Sequence, residues 1–499
     1  MIKYKYTVGT RRGGVSFMGK YAVPDHIRIM KPKGTIIKLL HNKYYVYEHF
    51  NKKDENGKWK TKSGKLLGYI DEVNGFTPNN NFSISEDITT LEYGQYAVVI
   101  NNSKKTLERL IRHFNKRDAY TIYLMAIVHV VNDFTPLKDI SKYIEQSYLS
   151  VLYPNIKFSY HCLSTLLDAL GRRQTRVHQF EQSLIDDSSK EIAIDGHDIK
   201  SCSHENDLAE VGNKFSSMKD MQMNVLMAYD INTLTPLVSR AYPGSILDKT
   251  SVKDLLEIHN YQDVLFIVDR GFYSKENLEI FSRNNNHYII PLSPNLTIFK
   301  SVTENMDFHD VFVYEKDKKR APIEYKEIVV DETTKIVICR DLTQSASDKA
   351  MYLKNIDLNP DKYTKEKYNE IESFFGVIVL QTNLDAKPEE IYGLCKKRWT
   401  IETFFNYFKN RVDINALGLN DYYSTQGMSF IMLVVGLIYQ ELREAIKLLK
   451  GKSVDDCLLE ARFIKLNKKS EIWTVSNAKK NLQEMMSVLN VDLTNPLQK

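Results

Sequence analysis

Three acidic residues far apart in this chain, Asp195, Asp269 and Glu402, stand at positions where a carboxylate needs a positively charged neighbour. Ile192, Ala193 and Ile194 lead into Asp195 and Gly196, and Val264 to Val268 lead into Asp269, so both segments read as buried strands that stop at an acid. A carboxylate at the end of a buried strand is costly without a partner. Glu402 lies in LCKKRWTIETFFNYFKNR, Leu394 to Arg411. Wound as a helix, this segment sets Arg398, Glu402 and Lys409 on one narrow face, at spacings of four and seven residues. Leu394, Ile401, Phe405 and Phe408 form an apolar stripe beside them, so the charged row sits at the edge of the helix's packing. Alone, that row is an ordinary set of exposed helical ion pairs. Three carboxylates gathered at one place would repel unless they shared divalent cations, and Asp195, Asp269 and Glu402 together therefore suggest a metal site.

DRGFYS at Asp269 to Ser274 and RWTIETFFNYFK at Arg398 to Lys409 resemble the signatures of the DDE transposases of bacterial insertion sequences. The nearest branch carries a Tyr-x2-Arg-x3-Glu-x6-Lys pattern, which Arg398, Glu402 and Lys409 match in register while Cys395 stands at its tyrosine position. Tyr392, one turn earlier, is a partial substitute for that phenol. After Asp195 and Gly196 the family has a small hydroxyl residue where this chain has His197, which leaves Asp198 as a competing first acid. The resemblance spans Ile192 to Lys450, with weaker similarity in the flanks.

What the resemblance implies is an RNase H-like catalytic core that cuts transposon ends and transfers the cut strands into target DNA. Asp195, Asp269 and Glu402 would hold two Mg²⁺ or Mn²⁺ ions, cations suited to hard oxygen ligands. Arg398 and Lys409 would hold phosphates, the arginine by bidentate contact and the lysine as a point charge. The partners implied are double-stranded DNA, both terminal inverted repeats and target, and a second copy of the chain in the paired-end complex. Arg270 either contacts DNA or pairs with Asp269. Two rival readings are a catalytically inactive DNA-binding protein and an RNase H-like nuclease that cuts without joining; all three acids are present, which speaks against the first.

At 499 residues and 43% hydrophobic the chain can bury several cores. MIKYKYTV has charge without an apolar block behind it, and Met428 to Tyr439, the most apolar run, is too short for a membrane span, so a cytoplasmic, nucleoid-associated protein without membrane contact is expected. The five cysteines, Cys162, Cys202, Cys339, Cys395 and Cys457, show no zinc spacing and read as free thiols. Net charge is +5, unevenly spread: residues 1 to 70 hold 16 Lys and Arg against four acids, leaving the rest of the chain net negative.

Fold class follows from the changes in pattern: α/β, with an RNase H-like core interrupted by a β-rich insertion and preceded by a small basic β-sheet region and a helical domain. Residues 1–80 offer short strands at Thr35 to Leu40, Lys43 to His49 and Leu66 to Ile70, with Tyr44, Tyr45, Tyr47 and Trp59 placed to lie against nucleic acid. Residues 81–190 turn helical and end in the basic GRRQTR, Gly171 to Arg176. The core takes residues 191–296 and 376–425, opening with a hairpin from Met223 to Ala241 and a helix near Val252 to His259. The 133 positions from Asp269 to Glu402 exceed what one connection needs, so 297–375 are expected to form the insertion, with strands near 311–315, 323–330 and 336–340. Its cluster Lys316, Lys318, Lys319 and Arg320 would face DNA. In the family such an insertion accompanies hairpin formation at the transposon end with an aromatic residue stacked on a flipped base; no tryptophan of this chain lies there. Residues 426–499 read as a helical C-terminal region.

Overall fold

The computed structural model describes residues 23–41, 43–53, 57–73, 75–79, 88–201, 206–211, 221–246, 248–316, 319–398, 419, 421–469 and 472–497. It is a mixed α/β structure in two compact units, residues 1–89 with 468–472, and residues 90–467 with 473–499. No helix of the described residues is long and apolar enough to cross a membrane.

The smaller unit is an antiparallel meander of β1 (Thr35–Leu40), β2 (Lys43–Lys53), β3 (Trp59–Asp71) and β4 (Gly75–Pro78) over a small core of Ile27, Val46 and Ile70. β2 and β3 are longer than their apolar segments suggest, because the hairpin carries its pairing out into the lysine-rich sequence, as far as Lys53 opposite Trp59.

After β5 (Ile88–Glu92), helices fill the chain from Gly94 to Asp186. The central sheet then begins with β6 (Glu191–Ser201), β7 (Glu210–Val211), β8 (Met221–Asp230) and β9 (Thr235–Pro243), and continues through β10 (Leu265–Val268) and β11 (His287–Pro291). β6, β8 and β9 pair antiparallel, whereas β10 pairs parallel to both β6 and β11, with helices Asp248–Ile258 and Lys275–Phe281 as the crossovers. The order across this part is β9, β8, β6, β10, β11. The apolar runs Val225–Tyr229 of β8 and Leu265–Val268 of β10 fit strands covered on both faces.

Residues 297–375 extend the same sheet: β12 (Asp310–Lys316), β13 (Lys319–Val329) and β14 (Lys335–Asp341) pair antiparallel and join β15 (Val377–Thr382), which pairs with β11. Helices Thr297–Thr303, Leu342–Leu358 and Lys365–Ile371 lie in this stretch as well, so it is as helical as it is stranded. The apolar run from Met428 belongs to the helix Tyr422–Ile446, most of which is buried. This helix covers β9: the Gln426 side-chain amide donates to the Ala241 carbonyl at 2.6 Å and the Ala241 amide donates back at 3.3 Å. Glu181, from helix Gln174–Asp186, accepts from the Ser239 amide at 3.3 Å. Side chains thus satisfy an edge strand that would otherwise invite pairing.

Candidate active site

Two acids meet where the parallel part of the sheet runs out. Val268 on β10 is paired with Ile194 on β6, so the next residue outward on each strand is an aspartate, Asp269 beside Asp195. Neighbouring strands lie about 4.8 Å apart, which makes these carboxylates neighbours. β10 ends there because Arg270–Phe272 turns away as a 3-10 turn. β6 does not end at its acid: it continues to Ser201, because its other edge stays paired to β8, with Asp195 opposite Met227 and His197 opposite Val225. The expectation of two strands stopping at their acids is therefore right for β10 and wrong for β6. Register also separates the two candidate first acids. Side chains alternate along a strand, so Asp198 faces away from Asp195 and lies about 10 Å farther along, while His197 shares the Asp195 face.

Both carboxylates are half-buried, and Asp195 Oδ1 accepts from the Gly196 amide at 2.9 Å. Beneath Asp195 lies the fully buried Tyr229, opposite Ala193, with its hydroxyl 3.0 Å from the Met227 sulfur. Burial pushes this phenol well above its ordinary range, and the Asp195 carboxylate adds to the push. Nothing in the local sequence marks Tyr229; its position two residues from the partner of Asp195 becomes visible only once the register is known.

The cation beside Asp269 comes from helix Pro388–Arg398, which opens on proline, carries Glu389 and Glu390 in its first turn and Lys396, Lys397 and Arg398 in its last. That is the arrangement the helix dipole and proline's fixed φ favour. Arg398 Nη2 stands 3.3 Å from Asp269 Oδ1, with the arginine side chain 10% exposed and the aspartate 44%. Cys395, one turn back on the same face, is buried near the same acid. Its thiol is pushed up to about 11, mainly by burial, with Arg398 and Lys396 opposing the rise and Asp269 adding to it. Lys397 reaches Glu191 at the start of β6, 3.7 Å away.

Tyr392 is not the missing phenol. Its hydroxyl lies 3.4 Å from Asp341 Oδ2 and its ring packs edge-on against Phe312 and Tyr314, so it anchors the helix to β12. Arg270 is exposed and, with Asp269, Cys395 and Arg398, lines a cavity of about 790 Å³ whose far wall includes Leu292, Phe299 and Phe374. Phe299 and Phe374 stand 6.0 Å apart at 35°. Lys316, Lys319 and Arg320 are exposed at the turn between β12 and β13, where Arg320 pairs with Glu315 at 2.8 Å. Lys316 is close enough to Lys396 to lower the latter's affinity for a proton, although burial is the larger cause. Glu402, Lys409 and Lys318 lie outside the described residues. Among the described residues no group of three or more His, Cys, Asp and Glu could hold a metal ion. The Asp195 and Asp269 pair has the hard oxygen chemistry that suits a divalent cation.

Residues 187–435, which include every one of these candidate positions, match the family described as "Transposase DDE domain". No curated protein matches in sequence. Among solved structures, the cryo-EM structure of a piggyBac transposase synaptic complex with hairpin DNA is similar at 11% identity and a TM-score of 0.36, over 73% of this chain and 76% of that one. At that level the likeness carries no argument.

Proposed function

Since this chain belongs to the DDE transposases through residues 187–435, we propose that it cuts the ends of a DNA element and joins them to target DNA. The observation that carries the reading is the register of β6 and β10, which brings Asp195 and Asp269 side by side with Arg398 against the second acid. The strand order β9, β8, β6, β10, β11, three antiparallel strands followed by two parallel ones, supports an RNase H-like core. Glu402, four positions beyond Arg398 at the end of helix Pro388–Arg398, is the proposed third acid.

Asp195, Asp269 and Glu402 would hold two divalent cations, Mg²⁺ or Mn²⁺. Bound there, such ions supply Lewis acidity at a phosphodiester and lower the pKa of an attacking hydroxyl. The chain's own part is to place the carboxylates on rigid strands, to set Arg398 and Lys409 against phosphates, and to keep apolar walls beside the reacting phosphate. The β2–β3 hairpin supports DNA binding independently. Lys52 is directly opposite Lys60 and Phe50 opposite Lys62, so three lysines and an exposed aromatic ring share one face. Like charges set directly opposite each other are destabilising on their own and favour an anionic partner. Lys316, Lys318, Lys319 and Arg320 are proposed as a second backbone contact, and two copies of the chain as the assembly that handles two ends.

The reading is tested by incubating the protein with a duplex carrying the element's terminal sequence and a supercoiled target, then following the labelled 3′ end. Covalent joining that is lost in Asp269→Ala supports transposition. Cutting without joining would favour a nuclease of the same fold, and neither product would leave a DNA-binding protein only.

A further inference from the structure

The Arg398 guanidinium is unusually enclosed for a group whose assigned task is to hold a phosphate. Its side chain is 10% exposed, one nitrogen lies 3.3 Å from Asp269 Oδ1, and its Nε is buried with no hydrogen-bond partner among the described residues. Cys395, also buried, sits one turn below it. One nitrogen of the guanidinium is thus used on a carboxylate while the buried Nε is unsatisfied, a state that costs free energy. The carboxylate it holds is the one the proposed function needs for a cation.

We propose that Arg398 couples metal binding to DNA binding by acting as the resident counter-charge of Asp269 until a phosphate arrives. A divalent ion settling on Asp269 would face the Arg398 guanidinium already held against that carboxylate, and two positive charges at contact distance repel. A DNA phosphate removes the conflict. It offers two oxygens to the arginine fork, satisfying Nε and Nη2 together, and frees the Asp269 oxygens. The protein without DNA therefore holds divalent ions weakly, and ions and DNA ends strengthen each other's binding by the same factor. A transposase so built stays inert towards free metal until its substrate is seated.

This inference rests on the acid pair being the metal site, and the experiment separates the two. Mn²⁺ binding to the full chain is followed by the electron paramagnetic resonance signal of the free ion, with and without a duplex bearing the element's end, after subtracting ions bound by the duplex alone. Wild type is expected to bind Mn²⁺ about ten-fold more tightly with the duplex, within the usual range of coupling between sites. Arg398→Gln is expected to bind Mn²⁺ more tightly than wild type without DNA and to gain less than about two-fold from the duplex, the coupling having been removed. Arg398→Lys, which keeps the charge but not the fork, should retain part of the coupling. Equal Mn²⁺ affinity of wild type with and without the duplex overturns the proposal without recourse to any variant. So does Arg398→Gln binding no tighter than wild type in the absence of DNA. If Asp269→Ala leaves Mn²⁺ binding unchanged, the metal-site reading itself falls.

Discussion

At the scale of single residues, the decisive contrast is between Asp195 and Asp198. Both follow the same apolar run, and only pairing with β10 distinguishes them, since it levels Asp195 with Asp269 and turns Asp198 to the other face. Asp195→Asn should reduce cleavage by roughly a thousand-fold or more, as losses from a jointly acting site do, while Asp198→Asn should stay close to wild type in the same assay. Comparable losses in both would contradict the register argument. Cys395 makes a second residue-scale case. With its thiol raised to about 11 by burial, it should resist iodoacetamide at pH 8 in the native protein and react after unfolding, as read by mass spectrometry. Of the candidate site, the two strand acids and Arg398 could be found from apolar runs and helical spacing. Tyr229 and the true role of Tyr392 could not, because each depends on a cross-strand or helix-to-strand contact that local spacing does not encode.

At the scale of elements, strongly patterned segments are legible in their kind: β1, the hairpin β8–β9, β12 to β15 and helices Lys104–His113, Lys116–Val131, Leu137–Glu145 and Tyr160–Arg172 fall close to their apolar periodicity. Helix Leu342–Leu358 was missed because its apolar residues form no single stripe, with Met351, Leu353 and Leu358 all exposed. β11 was missed because HYIIP is short and ends in proline. Neither Gly171 nor Gly427 signals in sequence that helices Tyr160–Arg172 and Tyr422–Ile446 cross at backbone contact. A Cβ on Gly427 would collide with the Leu167 carbonyl, and one on Gly171 with that of Tyr423. Gly427→Ala should therefore lose about 1–3 kcal/mol of stability through overpacking, measured by denaturant unfolding. Helix Lys116–Val131 carries a fully buried His129, stacked on Phe134 at 5.3 Å, and burial depresses its pKa to about 3. Its unfolded-state value is near 6.5, so the native state refuses a proton that the unfolded state takes. Stability is intact above pH 6.5 and falls by about 1.4 kcal/mol per pH unit below it, down to the folded pKa. His129→Leu should flatten this part of the acid slope in unfolding experiments.

At the scale of the whole molecule, the larger unit has a main hydrophobic core running from Leu91 to Val491, which joins the helices before β6, the sheet and the helices after it, beside a small second cluster of Leu292, Phe299, Ile336, Ile338 and Val379. A reading along the chain divides such a protein by composition, whereas long-range pairing unites segments 185 positions apart, as Gln426 does with Ala241. The smaller unit keeps its own core and its own lysine face. Replacing Lys52, Lys60 and Lys62 by alanine should weaken DNA binding across sequences and reduce the slope of log affinity against log salt by up to about 0.9 per lost phosphate contact. Fluorescence anisotropy over a salt series checks this, and an unchanged slope would remove that face from the DNA path.

The measurement that bears most directly on the central claim is cleavage of a duplex carrying the element's end by wild type and by Asp269→Ala, each with Mg²⁺, Mn²⁺ or EDTA. The account predicts cutting by wild type with either ion, none with EDTA, and none by Asp269→Ala under any condition although it still binds the duplex. Metal-dependent cutting that survives the loss of Asp269 would contradict it.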